Sequence, residues 1–208
     1  MAYSRDEALE LHKDYQETVN NWQYYVRSYN GGYDYTLGQY LNRYNLELDN
    51  EFNQRLANTP CDNHCKNIIQ IYSSFLFRVK ASRDFGGMQD EASLESFLKD
   101  ADLEGNSFTT VMKQAQNYAS IYGHCFLILD KPAVQTNTKA EELEQEIRPY
   151  VSMVTPENVL DWNFERQING KYELNYLKIR EEVDKSGGSY MRLWFPDRVD
   201  TIYVEDIG

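Results

Sequence analysis

Three observations on this 208-residue chain predict an α+β fold, mostly helical over its N-terminal two-thirds and an antiparallel β-meander after that. Apolar residues recur every three or four positions through most of the first part. From Tyr150 onward they alternate with polar ones. Asn-Gly, Gly-Gly and Pro turn signals then divide that alternating stretch at hairpin spacing.

Ala8, Leu11, Tyr15, Val19, Trp22, Val26 and Tyr29 make one helical stripe of about seven turns. Ser4 is its N-cap, Glu7 sits at capping-box spacing, and Asn30-Gly31-Gly32 is the stop. Tyr33 to Gln39 reads as a loop. Leu41, Tyr44, Leu48, Phe52 and Leu56 form a second stripe, ended by Thr59-Pro60. Asp62 then caps a third helix, whose apolar face carries Ile68, Ile69, Tyr72, Phe75, Leu76 and Val79. The β-prone tail FLFRV could leave that helix as a strand. Asp84 to Ala92 is a loop, and Ser93 caps a short helix, Leu94 to Lys99. Gly105-Asn106-Ser107 breaks the chain. Phe108, Val111, Met112, Ala115, Tyr118, Ala119 and Tyr122 follow as a strong stripe that Gly123 terminates. His124 to Leu129 is a short buried strand.

Composition places the helical part at 1–132 and a polar, acidic, mobile excursion at 133–147, where AEELEQE could also form one or two exposed helical turns. The antiparallel β part is 148–208. There Tyr150 to Val154 is a strand and Thr155-Pro156-Glu157-Asn158 a turn. Leu160, Trp162 and Phe164 alternate in a half-buried strand. Asn169-Gly170 marks a two-residue hairpin, with Tyr172, Leu174 and Tyr176 in the return strand. Ser186-Gly187-Gly188 is another turn, Met191, Leu193 and Phe195 the next strand, and Thr201 to Glu205 the last. A meander that stops on an edge strand reads as part of a longer polypeptide. The sequence shows no internal repeat.

The formal charge is −12, with 33 acidic against 21 basic side chains. Bulk charge therefore disfavours gripping a phosphate backbone. The longest apolar run, Cys125 to Leu129, is far short of the ~20 residues of a membrane span, and the N-terminus lacks the apolar segment of a secretory signal. Three cysteines, Cys61, Cys65 and Cys125, read as reduced thiols of an intracellular protein. Seventeen tyrosines among 208 residues hint at extensive subunit contacts, since Tyr is enriched where proteins meet.

Little of this is catalytic chemistry. Cys61, His64 and Cys65 bring soft ligands together, with His124 and Cys125 as further candidates, but the spacing fits no common zinc module. Gly86-Gly87 and Gly187-Gly188 lack the context of phosphate loops. No G-x-S-x-G elbow is present. The pairs Glu141-Glu142, Glu181-Glu182 and Glu205-Asp206 read as solvated acidic surface. Arg78, Lys80 and Arg83 form a small basic group whose bland reading is a solvated strand end. Its functional reading is contact with an acidic neighbouring subunit or with DNA phosphates. The residues alone thus point to a non-enzymatic α+β assembly part that needs no cofactor.

Several stretches carry a resemblance. Trp22 leads to YNGGYDY (Tyr29–Tyr35) and to Tyr40-Leu41. NLELDNEFNQRLANTPCDNHCKNIIQIYSSFLFR follows, with Glu47, Phe52, Arg55, Asn63 and Phe77 at the marked positions of an acidic-aromatic helix, a break and an apolar helix. DADLEGNSFTTVMKQAQNYASIYGHCFLILDKP (Asp100–Pro132) adds a Gly-Ser-started helix, an apolar strand and Asp-x-Pro. RPYVSMVTPENVLDWNF adds a strand, a Pro-Glu-Asn-Val turn and an Asp-Trp strand. Together, over roughly residues 20 to 182, these resemble the N-terminal wing of tailed-bacteriophage portal proteins. The stem, clip and crown of that family have no counterpart here.

The resemblance implies a structural ring, usually of twelve identical subunits, at the capsid vertex of a virion assembled in the host cytoplasm. It implies a conduit for double-stranded DNA in packaging and ejection, and a site of tail attachment. Implied partners are the major capsid protein, the terminase motor, a head–tail adaptor protein and the DNA in the channel, with no membrane. ATP hydrolysis would belong to the motor. The acidic charge agrees with a conduit that must not hold its DNA. A neck or adaptor virion protein and a plain intracellular interaction domain are the alternatives. A magnesium-dependent nuclease built on Asp or Glu clusters ranks last.

Overall fold

The computed structural model describes residues 5–38, 40–59, 63–88, 91–132, 134, 138–182 and 188–204. It is an α+β fold, with helices through the N-terminal part and antiparallel strands after it. The helices are α1 (Arg5–Leu9), α2 (Lys13–Asn30), α3 (Gly32–Leu37), α4 (Asp49–Asn58), α5 (His64–Leu76), α6 (Ala92–Lys99), α7 (Phe108–Tyr122) and α8 (Lys139–Glu144). The strands are β1 (Phe126–Asp130), β2 (Tyr150–Val154), β3 (Val159–Arg166), β4 (Tyr172–Glu182), β5 (Ser189–Trp194) and β6 (Val199–Val204). Two structural units emerge. One joins residues 1–23 to 155–208, and the other is 24–154. Contacts therefore gather the first helical residues with the meander, a grouping that composition along the chain does not announce.

In the first unit, β3-β4-β5-β6 form an antiparallel sheet in chain order. Met191 and Leu193 alternate inward on β5, as expected for a half-buried strand. On β3 the alternation fails. Val159 opposes Ile179 and Asp161 opposes Lys178, so Leu160 is an extra residue, and a bulge buries Val159 and Leu160 together. The β3–β4 turn is longer than the expected two-residue type. Gly170 N–H donates to Gln167 O at 2.8 Å, Gln167 N–H donates to Lys171 O at 2.8 Å, and Gly170 sits at φ 81°. This is a type I turn closed by a left-handed glycine. Burial on β4 falls at Leu177, Lys178 and Ile179, while Tyr172 and Leu174 stay exposed at the hairpin end. The turn expected at Ser186-Gly187-Gly188 falls mostly outside the described residues, as do Ser4 and Glu205.

The single N-terminal helix expected from the stripe is two helices. Between them His12 N–H donates to Leu160 O at 2.9 Å, a bond that draws the backbone off the helical path. The carbonyls freed at the break are satisfied by Lys178, whose Nζ donates to Glu7 O at 3.0 Å and Glu10 O at 2.7 Å. A cation at a helix C-terminus also suits the helix dipole. Lys178 is 1% exposed and lies 3.9 Å from Asp161. The His12 ring stacks on Trp162 at 4.1 Å between centroids. Tyr15 donates from its hydroxyl to Glu157 O at 2.8 Å.

In the second unit, α7 follows the sequence signals at both ends. The Ser107 hydroxyl accepts from Thr110 N–H, and Gly123 adopts φ 89° at the C-cap. Ala101, Val111 and Val151 form a core cluster flanked by Phe97 and Phe108. Ala101 is pinned by backbone bonds from its N–H to Asn106 O at 2.7 Å and from Val151 N–H to its carbonyl at 2.8 Å. Strand β2 pairs with β1 in a two-stranded sheet of its own and is no part of the meander. Several local expectations change. Residues 32–37 are a short helix, α4 starts at Asp49 rather than near Leu41, and FLFRV forms no strand. The cap of α5 is Asn63, whose Oδ1 accepts from Lys66 N–H at 2.9 Å and whose Nδ2 donates to Tyr29 O. Asp62 lies outside the described residues. The α6 cap position is Glu91, without a side-chain bond, rather than Ser93.

Candidate subunit interface

Helix α5 is built the wrong way round for a helix that closes its own core. Its periodicity predicts an apolar face at Ile68, Ile69, Tyr72, Phe75, Leu76 and Val79. The positions actually shielded are Ile69, Ser73 and Phe77, and the fully buried one is the serine. The Ser73 hydroxyl has no hydrogen-bond partner among the described residues. Ile68, Ile71, Tyr72, Phe75, Leu76 and Val79 are instead 53% to 73% exposed. Together they form one uncovered apolar strip at helical spacing. Contiguous apolar patches beyond a few hundred Å² mark interaction sites.

The expected basic group divides. Arg83 is a structural anchor: its guanidinium lies 5.2 Å from the Phe108 ring centre, and Nη2 donates to Thr109 Oγ1 at 3.2 Å. Arg78 and Lys80 are exposed beside the apolar stripe. From Asn63 to Arg83 the chain carries Lys66, Arg78, Lys80 and Arg83 and no carboxylate, within a protein of net charge −12. The stripe thus has a cationic rim in an acidic molecule.

A second exposed feature precedes it, and sequence reading assigned it wholly to a helix. Residues 42–48 form a wired loop. Arg55 donates from Nε and Nη2 to the two Glu47 carboxylate oxygens, each at 2.8 Å, and from Nη2 to Asn42 O at 2.8 Å. Arg43 donates to Glu47 O at 2.7 Å, and Tyr44 N–H to Glu47 Oε2 at 3.3 Å. The Arg55 bond holds the Glu47 carboxyl below its ordinary range. Arg55 also lies 5.0 Å from the Tyr44 ring centre. This wiring presents Tyr44, Leu46 and Leu48 outward, with Leu46 96% exposed. Asp49 and Glu51 follow at the start of α4, and α4 buries none of its residues. The available signal was Glu47 and Arg55, which are eight residues apart and so cannot pair along one helix turn.

A cleft of about 480 Å³ lined by Ser93, Asp100, Lys131, Glu142 and Arg148 has its cations paired, Arg148 with Asp100 at 2.6 Å and Lys131 with Glu142 at 2.8 Å. Among the described residues no group of three His, Cys, Asp or Glu side chains is placed to hold a metal ion. His64 and Cys65 are exposed, and Cys61 is outside the described residues. Cys125 donates to Ala115 O at 3.3 Å, and burial pushes its thiol pKa up. Among the described residues no helix is long and apolar enough to cross a membrane. No protein-family model matches the chain, and no curated protein matches it.

Proposed function

We propose that this chain is a structural, non-enzymatic subunit of a homo-oligomeric ring of the tailed-phage portal kind, through which double-stranded DNA passes at a capsid vertex. The observation that carries the reading is the uncovered apolar face of α5, on a helix that buries a serine instead. A subunit whose neighbours complete its core has that construction. The order of the motifs from Trp22 to Glu182, the α+β architecture and the acidic charge support the same reading. In this reading the capsid protein, the terminase motor and a head–tail adaptor are its partners.

The test is mass photometry with negative-stain imaging of the full-length protein. Closed rings of about a dozen copies, with a channel wide enough for duplex DNA, are expected. A full-length protein that stays monomeric or dimeric at micromolar concentration refutes the ring and favours an adaptor or interaction domain.

A further inference from the structure

Two unsatisfied surfaces of the second unit are complementary. The α5 stripe offers an apolar strip rimmed by Lys66, Arg78 and Lys80, with no carboxylate of its own from residue 63 to 83. The Tyr44–Leu48 tip is a narrow apolar protrusion followed by Asp49 and Glu51. The tip is pre-organised by the Glu47–Arg55 fork, so docking it costs little ordering entropy. An aliphatic side chain held 96% in water by a fork of this kind is poised for a contact made elsewhere.

We propose that the Tyr44–Leu48 tip of one copy docks on the α5 stripe of a second copy of this chain, in a head-to-tail contact that repeats from subunit to subunit. This rests on reading the chain as a self-assembling subunit, and it names the surfaces by which it does so. The cationic rim is opposite in sign to the carboxylates beside the tip, of which Asp49 also holds Arg43 at 2.6 Å and Glu51 accepts from Leu48 N–H at 3.2 Å. Two different surfaces make the contact heterologous, the kind that closes into rings when the rotation allows.

The test uses two variants, each altered at an exposed position. Leu46→Asp disables the tip and Phe75→Glu disables the stripe, with circular dichroism confirming the fold of both. Sedimentation velocity from 1 to 100 μM reads assembly. The wild-type chain is expected to associate, and each variant to associate at least tenfold more weakly. A mixture of the two retains one good tip and one good stripe and is expected to form 1:1 pairs that grow no further. Raising the salt should weaken the wild-type association.

Three results overturn the proposal. They are a wild-type chain monomeric at 100 μM, a Leu46→Asp variant that assembles like wild type, and a variant mixture that yields no 1:1 pair. If the variants behave as expected but the wild-type assembly is an open polymer or a ring too narrow for duplex DNA, the tip-to-stripe contact stands and the portal reading fails.

Discussion

Replacing Lys178 by Met tests how the N-terminal helices are tied to the meander. The two side chains are similar in length, so packing is conserved while the ammonium is lost. In the native protein that ammonium donates to Glu7 O and Glu10 O at 3.0 and 2.7 Å, at a position 1% exposed. Without it the Glu7 and Glu10 carbonyls lose this donor. Each unsatisfied buried acceptor costs about 1–3 kcal/mol. Asp161 also loses its cation at 3.9 Å, while the fold no longer has to bury an ammonium. The net expectation is a loss of about 3 kcal/mol in unfolding free energy. The assay is urea denaturation followed by tryptophan emission. All three tryptophans, Trp22, Trp162 and Trp194, lie in the unit formed by residues 1–23 and 155–208, so the signal reads that unit by itself. Burial lowers the Lys178 pKa from its ordinary 10.5, and Asp161 and Glu10 oppose the shift. Between the lowered native value and 10.5 the unfolded chain holds a proton that the native side chain has released. Wild-type stability therefore rises with pH across that window, and the Met variant lacks the rise. A variant within 0.5 kcal/mol of wild type, with the same pH slope, refutes the capping argument.

Gly123→Ala places a Cβ where nothing lies within 4 Å, so its cost is the left-handed backbone alone, about 1 kcal/mol. Far-UV circular dichroism should register the loss while tryptophan emission does not. Arg83→Ala removes one hydrogen bond and one cation–π contact, about 1 kcal/mol of stability. It should leave self-association unchanged, whereas Arg78→Ala with Lys80→Ala should weaken association and leave the melting temperature alone. Glu47 has its pKa lowered by Arg55, so its contribution is complete above the ordinary value of 4.5 and disappears as pH falls through the lowered native one. Amide exchange at Tyr44 should accelerate across that acid window in the wild type, and Glu47→Gln should abolish the transition.

Much of the fold was legible because its signals are local. Ser107 and Gly123 delimit α7 through backbone chemistry that needs no other part of the chain. Gly170 was legible as a turn residue, although the turn's length was set by the pairing of Arg166 with Tyr172. What escaped was decided at a distance. Nothing near His12 says that its N–H will leave the helix for Leu160, 148 positions later. Nothing near Lys178 says that a lysine in a strand will end a helix 168 residues earlier. For α5 the period was correct and the direction was not. Periodicity reveals an apolar face but never says which body covers it. The candidate interface was half legible for that reason: the basic group stood out by charge and the stripe by period, while nothing local said that the stripe would stay uncovered.

The discontinuous first unit also bears on the order of events during synthesis. Residues 24–154 can fold as soon as they leave the ribosome, because their contacts close among themselves. The first 23 residues cannot. Their partners, Leu160 for His12, Glu157 for Tyr15 and Lys178 for the end of α1, come from the last quarter of the chain. At ~5–20 residues per second, the N-terminal segment waits on the order of ten seconds for the meander to arrive. During that wait Ala8 and Tyr15, buried in the finished protein, lack the β6 and Glu157 neighbours they meet there. A nascent chain that has emerged only as far as residue 154 would thus carry a complete middle unit and an exposed, chaperone-accessible leading end.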